Sequence, residues 1–403
     1  MNAEIPTATA SLPKFRFDLS ELSGAVADLG VMLPLVVALV TLNGVNATSA
    51  FFVIGLAYFI NAYAYRLPIP VQPLKAMAAT ALALSLSPEM ITAAAWWVAA
   101  IFLLLSFTNA TRWLAGLFPI AVVRGIQLGL GLLLLRSAWV LITSPGEEWA
   151  GNWSMAGFSL PLSWLAVSGS FLVLILGLRW RPSWVGLLVI LFGCLFGVAV
   201  LGFPQVHMRI SWPTPLIPRL GDFWPALWLL VVPQVPLSLA NSVFATADAA
   251  KKYFGELGEH VSARRLLFTM GLGNVAAAAL AGVPICHGSG GLTAHVRLGA
   301  RTGGALILIG ALFIALGLFG GSSLLPLLNL IPFPALGVLL GYVGLQHMWL
   351  ASDLQGTQAW LVAVMVALIT WITQNLAWGF GAGLALHLAW TWTQPLRKPS
   401  AGP

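Results

Sequence analysis

Apolar runs long enough to cross a bilayer recur along the whole chain, separated by short polar punctuation. A helix needs about 20 apolar residues to span the hydrocarbon core. By that measure the pattern predicts spans near 24–41, 48–66, 91–113, 117–142, 160–179 and 183–202. A second set falls near 222–248, 264–281, 303–321, 324–347, 357–373 and 375–392. Two shorter segments, 72–87 and 287–300, each follow a proline-bearing extended stretch and are polar at their starts. Counted as crossings, they bring the total to about fourteen, seven on each side of the loop at 203–221. The expected organisation is an N-terminal tail (1–20), a first repeat (21–205), a second (206–393) and a C-terminal tail (394–403).

Basic residues test this topology. With the N-terminus inside, the cytoplasmic side holds Lys14, Arg16, Arg66, Arg112, Arg179, Arg181, Lys251, Lys252, Arg264, Arg265, Arg297, Arg301, Arg397 and Lys398, and the far side holds Arg136, Arg209 and Arg219. That asymmetry is what cytoplasmic retention of Lys and Arg produces. Omitting either short segment inverts every downstream loop and destroys it. An odd number of crossings per half gives the halves opposite orientations, the inverted-repeat plan of many secondary transporters. Pro70-Val71-Gln72-Pro73-Leu74-Lys75 and Pro284-Ile285-Cys286-His287-Gly288-Ser289 open the third segment of each half, a faint echo of that repeat.

Short, Pro/Gly-interrupted segments at matching positions point to a transporter's binding site. A half-helix that starts in mid-membrane leaves N–H groups unsatisfied and turns its positive dipole end to the cavity. An anion satisfies those donors, most closely where glycines allow approach. His287-Gly288-Ser289-Gly290-Gly291 is such a start; the bland alternative is a flexible bend for helix packing. Lys75, in the first turn of the other half-helix, costs about 2.5–3.5 kcal/mol in an apolar segment, so it faces protein or water. It is either a fixed charge for an anionic substrate, half of an ion pair with Asp28 or Glu21, or a snorkelling side chain. Glu21 and Asp28 stand seven apart in the first span, on one helical face, and supply charge balance or a coupling proton. Asn241 and Ser242 put neutral polar groups in the eighth span, as substrate donors or helix–helix contacts.

Composition agrees with a membrane setting: 59% of the 403 residues are hydrophobic and 8% charged, against roughly a quarter charged in soluble domains. The net charge of +7 follows from the basic loops, so nucleic acid is not an expected partner. Cys194 and Cys286 lie in separate apolar segments, and His207, His260, His347 and His387 are scattered, so neither a disulfide nor a metal site is expected. No Walker loop or cofactor motif is found, and no nucleophile–base constellation for an intramembrane enzyme. Gly125/Gly129, Gly193/Gly197, Gly317/Gly321 and Gly337/Gly341 have helix-packing spacing. The N-terminus lacks an apolar core with a cleavage site, which favours a bacterial inner membrane with both termini cytoplasmic.

Glu21-Leu22-Ser23-Gly24-Ala25-Val26-Ala27-Asp28-Leu29-Gly30, the 70–75 stretch, Val123-Arg124-Gly125-Ile126-Gln127-Leu128 and Cys286-His287-Gly288-Ser289-Gly290-Gly291-Leu292 resemble the MOT1-type molybdate transporters. That family is related to sulfate permeases and shares its broader fold with nucleobase permeases. The resemblance implies an all-α membrane protein of seven-plus-seven inverted repeats, with core and gate domains and two half-helices meeting at mid-membrane. It implies uptake of molybdate, and of tungstate, by alternating access, with Gln72, Pro73, Lys75, His287, Gly288, Gly290 and Gly291 at the site. Asn241 and Ser289 join them as candidate donors, and Asp28 and Glu21 as coupling or charge-balancing groups. Expected partners are the oxyanion, coupled protons, the lipid bilayer and a second copy in a homodimer. The family pattern has Met-Lys-Ser where this chain has Leu74-Lys75-Ala76, and Ala where it has Ser289. Those departures keep a sulfate carrier open as the alternative, with a nucleobase permease or an anion channel on the same fold behind it.

Overall fold

In a bilayer every backbone polar group must be satisfied within the chain, so apolar runs become helices and their ends are set by caps. The computed structural model describes residues 13–26, 29–108, 119–144, 147–155, 158–180, 184–207, 209–320 and 323–393. In chain order the helices of the first half are α1 (Leu19–Ala25), α2 (Leu29–Asn43), α3 (Ala47–Tyr65), α4 (Lys75–Ala83), α5 (Pro88–Phe107), α6 (Ile120–Thr143), α7 (Leu162–Trp180) and α8 (Val185–Leu201). Those of the second are α9 (Leu220–Phe254), α10 (Ala263–Ala279), α11 (Ser289–Arg297), α12 (Gly304–Gly320), α13 (Phe333–Trp349), α14 (Thr357–Thr373) and α15 (Leu376–Thr393). Among the described residues six helices are long and apolar enough to cross a membrane: α3, α5, α6, α7, α9 and α13 with its 3-10 extension to Asp353.

The caps follow from the sequence. Asn46 accepts from Ser49 N ahead of α3, and Ser87 with Pro88 starts α5, as short polar side chains and N1 prolines do. Just past α3 and α10 the chain turns through left-handed residues, Arg66 (φ 56°) and Ala281 (φ 50°), into the two extended stretches. These meet as a two-residue antiparallel ladder, β1 (Gln72–Pro73) with β4 (Ile285–Cys286), in the register Gln72↔Cys286 and Pro73↔Ile285.

Packing sorts the helices into two groups. In one, α3 lies along α12, α5 along α10, and α2 against α4, with α9 over α10 and α11. In the other, α6 packs on α13 and α14, α14 on α15, and α7 on α8. Gly197 serves close packing: a Cβ on it would lie 2.0 Å from Leu330 O, so the backbones touch there; Gly321 of the expected Gly317/Gly321 pair lies outside the described residues.

Three expected spans are redrawn. The first is not one helix in the described residues: α1 ends at Ala25 and α2 begins at Leu29, so Glu21 is on a separate short helix, and Asp28 lies outside the described residues. The segment expected over 324–347 divides into Leu324–Asn329 and α13, because Pro332 starts a new helix as its N-cap. The eighth span runs on to Phe254, with Lys251 and Lys252 in its last turn, where cations suit the dipole. A hairpin that the pattern did not reveal, β2 (Asn152–Met155) with β3 (Phe158–Pro161), joins α6 to α7.

Candidate functional site

Because β1 and β4 are antiparallel, α4 and α11 leave the ladder in opposite directions, each with its N-terminus at the crossing. Buried asparagines hold both stretches. Asn61 of α3 donates to Ile69 O (3.1 Å) and Pro70 O (3.3 Å). Asn274 of α10 donates to Ile285 O (2.7 Å) and accepts from Ile285 N (3.0 Å). Tyr58 adds a bond to Val71 O at 3.1 Å. The sequence reading passed over both asparagines. Their signal was available: each is a lone amide in the apolar helix preceding a short segment, where a partnerless amide would cost several kcal/mol.

Neither N-cap residue, Leu74 of α4 or Gly288 of α11, makes a capping bond with its own side chain. In α4 the Met77 N–H is taken by Gln234 Oε1 at 3.0 Å, while Gln234 Nε2 donates to Ser238 Oγ at 2.9 Å. Gln234 is buried in α9. It stands between Pro233 and Pro236, whose missing N–H groups break the α-helical ladder. Flanking π-helical turns at Leu227–Val231 and Ser238–Phe244 take up the register. The second of these carries Asn241.

Ser289, first residue of α11, donates its hydroxyl to Asn241 Oδ1 at 3.1 Å. Gly290 is exposed, and a Cβ there would meet only open space, so this end of α11 has free approach. Gly291 is buried. Gly288 presses on Gln72, where a Cβ would come within 2.5 Å of Oε1. The structure thus brings Gln72, Pro73, Gly288, Ser289 and Asn241 together at the crossing, with Lys75 two positions beyond the ladder.

Lys75 is half-buried, and among the described residues no carboxylate lies within ion-pair distance of it. Glu21 is not its partner. The Glu21 carboxylate is fully buried and accepts from Arg301 N (3.0 Å), Thr302 N (2.9 Å), Thr302 Oγ1 (3.1 Å) and Ala305 N (3.3 Å). It caps the approach to α12, where a negative charge meets the positive helix end. The charge-balancing role expected of Glu21 toward Lys75 is corrected accordingly.

His287 is also repositioned relative to expectation. Its Nδ1 lies 3.0 Å from Pro70 O and its Nε2 2.8 Å from Thr269 Oγ1, whose own partner is the Tyr65 hydroxyl at 2.6 Å. The mutually consistent arrangement has Nδ1–H donating to Pro70 O and Nε2 accepting from Thr269. Both ring nitrogens are then committed, and His287 braces the crossing instead of offering a free donor. Arg124 pairs with Asp353 and donates to Gln127 Oε1 at 3.0 Å, tying α6 to the segment after α13. Among the described residues no group of three or more His, Cys, Asp or Glu side chains is placed to hold a metal.

Comparison with known proteins bears on this geometry. A family model described as "Molybdate transporter of MFS superfamily" matches residues 20–134 and 226–346. Molybdate transporter 1 of Arabidopsis thaliana is 30% identical over 432 residues, covering 96% of this chain and 92% of its own length. Molybdate transporter 2 of the same plant is 29% identical over 417 residues, covering 92% and 86%. Among solved structures, the transmembrane domain of the cyanobacterium bicarbonate transporter BicA superposes with a TM-score of 0.67 at 15% identity, covering 92% of this chain and 98% of that one. The murine anion transporter Slc26a9, in its inward-facing state, gives 0.66 at 16% identity, covering 94% and 69%. These structures share the fold: a mostly helical, multi-pass membrane protein. The two matched stretches contain both half-helices and the ladder between them, and the chain belongs to the molybdate transporter family.

Proposed function

We propose that this protein is a secondary active transporter of a tetrahedral oxyanion, molybdate in the first place and tungstate beside it, working by alternating access. The observation that carries the reading is the convergence of two helix N-termini, that of α11 without a side-chain cap, on a crossing that also holds Lys75 and the Asn241–Ser289 pair. Peptide N–H groups, an ammonium and an amide NH2 form a donor set suited to a small dianion. Ordinary solutes of the same size without charge would leave those donors unsatisfied. The names of the plant relatives favour molybdate within that class.

In this reading the group built on α1–α5 and α9–α12 is the core, and that built on α6–α8 and α13–α15 is the gate. The halves are seven-segment inverted repeats. Two features support the repeat: the α3–α12 and α5–α10 pairings exchange under a shift of seven segments, and the buried asparagines occupy matching helices. Both termini face the cytoplasm, as the basic loops favour. Movement of the core against the gate exposes the crossing alternately to each side.

The test is calorimetric titration of the purified, full-length protein in detergent with molybdate, tungstate, sulfate and uracil. Saturable molybdate and tungstate binding with sulfate much weaker supports the reading. Preferential sulfate binding retains the anion site and moves the function to a sulfate carrier. Uracil binding alone refutes the anion site.

A further inference from the structure

The bonds that hold His287 allow its ring more than one protonation state. With the ring neutral, Nδ1–H donates to Pro70 O at 3.0 Å and Nε2 accepts from the Thr269 hydroxyl at 2.8 Å. Thr269 has two other acceptors within reach, Arg265 O at 3.1 Å and Leu266 O at 3.2 Å. When its hydrogen turns to either of them, the Thr269 oxygen shows Nε2 only lone pairs and accepts from an Nε2–H. The Tyr65 hydroxyl, 2.6 Å from the same oxygen, donates to it in both settings. An imidazolium at this position therefore keeps both of its N–H groups bonded, Nδ1–H to Pro70 and Nε2–H to Thr269. Rotation of one hydroxyl is the whole rearrangement. A histidine that only braces the crossing needs one such set of partners; His287 has two.

The ring is fully buried and belongs to the residue just before Gly288, the N-cap of α11. A buried imidazole without a counter-charge stays neutral, and a dianion beside it reverses that preference. The titratable and charged groups on the described elements around it are Tyr65 on α3, Arg265 on α10, Lys75 on α4 and His260 in the connection from α9 to α10. His260 Nε2 lies 2.8 Å from Tyr65 O. Among the described residues no carboxylate bonds the His287 ring, and Glu21 is committed to the 301–305 backbone. We propose that His287 is the proton-binding site of the carrier, taking up one proton as the oxyanion enters the crossing and releasing it as the anion leaves. The proton comes from water, bonds to Nε2 and returns to water, while the Thr269 hydroxyl turns to make room for it. Loaded in this way, the crossing sets two negative charges against one ammonium and one imidazolium, a neutral sum. The inference rests on the oxyanion reading of the crossing and names the ion that travels with the anion.

Proton uptake on binding tests this, with molybdate titrated into the full-length protein in detergent by calorimetry in buffers of different ionisation enthalpy. Molybdate carries no proton at neutral pH, so a proton taken up belongs to the protein. Wild type is expected to gain one proton per molybdate over the pH range in which the ring changes state. Its molybdate affinity falls by up to about tenfold per pH unit as pH rises through that range. His287→Gln should bind molybdate without proton uptake and with an affinity independent of pH. Thr269→Val, which leaves an Nε2–H without its acceptor, should move the uptake about one pH unit or more to the acid side, whereas Thr269→Ser follows wild type. Should His287→Gln fail to fold, the Thr269 pair decides. A wild-type protein that binds molybdate without gaining a proton overturns the proton site and leaves the oxyanion reading standing. A His287→Gln protein that still gains the proton, or a Thr269→Val protein that titrates with wild type, overturns the assignment to His287. A wild-type protein that binds no oxyanion overturns both readings.

Discussion

Replacing Glu21 by alanine removes a carboxylate that no solvent reaches. Three backbone donors lose their acceptor: Arg301 N, Thr302 N and Ala305 N. Each buried donor left unpaired costs about 1–3 kcal/mol, so the sum is about 3–9 kcal/mol if nothing replaces the oxygens. Water entering the vacated volume serves some of them, which puts the expected loss at the lower end, about 3 kcal/mol. Gly24 of the same helix sits so close to Ala300 that a Cβ would lie 2.4 Å from that residue's own. For domains of about 150–250 residues, 1 kcal/mol moves the melting temperature by about 2–4 °C, and a longer chain moves less, so a fall of about 5 °C is expected. Glu21→Gln should fall between, since one oxygen still accepts while the amide nitrogen faces a donor. The assay is the monodisperse fraction remaining on size exclusion after heating in detergent. A Glu21→Ala protein that melts with wild type would falsify the cap and return Glu21 to the candidates for charge balance at the crossing.

Lys75→Ala is expected to abolish oxyanion binding by calorimetry while the purified protein stays monodisperse; molybdate affinity within twofold of wild type would remove Lys75 from the site. Gly288→Ala places a methyl 2.5 Å from Gln72 Oε1, so it should lower molybdate affinity about tenfold or more through displacement of Gln72, and unaltered binding would show that the contact yields freely. The Ser20 hydroxyl, the Arg16 guanidinium and the Glu21 N–H hold the Asp18 carboxyl below the ordinary carboxylate range. That depressed group stabilises the fold above its unfolded value of about 4 and loses the contribution as pH falls further. The gap in melting temperature between wild type and Asp18→Ala should accordingly narrow on acidification below about pH 4; a gap independent of pH would refute the role of its charge.

Much of the fold was legible because hydrocarbon imposes one rule on every span. Among the described residues most of the expected ordinary spans coincide with helices apart from shifts at their ends, and both short segments begin within a few residues of where proline and glycine announced them. What the sequence hid is long-range. Glu21 meets backbone some 280 positions away, and nothing in the 301–305 stretch advertises a missing cap. The π-helical turns of α9 also escaped notice, since Pro233 and Pro236 signal a disturbed ladder without saying how it is repaired. The site was legible in its backbone and less so in its side chains. Ser289 bonds Asn241 and Gln72 lies against Gly288, whereas His287 is taken up by Thr269 and Pro70. A histidine next to glycines looks the same in sequence whether it greets a ligand or braces a turn.

The β1–β4 ladder has a consequence for how the protein is made. Its strands are separated by more than two hundred positions, and ribosomes deliver the first long before the second. Until then β1 has no partner and α4, at nine residues, is too short to hold itself across a bilayer. The amino-terminal half therefore leaves the insertion machinery with an unsatisfied edge in a medium that offers no water to cover it. Closure of so long a loop must wait for the carboxy-terminal half, so the ladder is expected to form late, when the two halves join. Damage at the ladder should thus show first as protein cleared by membrane quality control, before any defect in transport can be read.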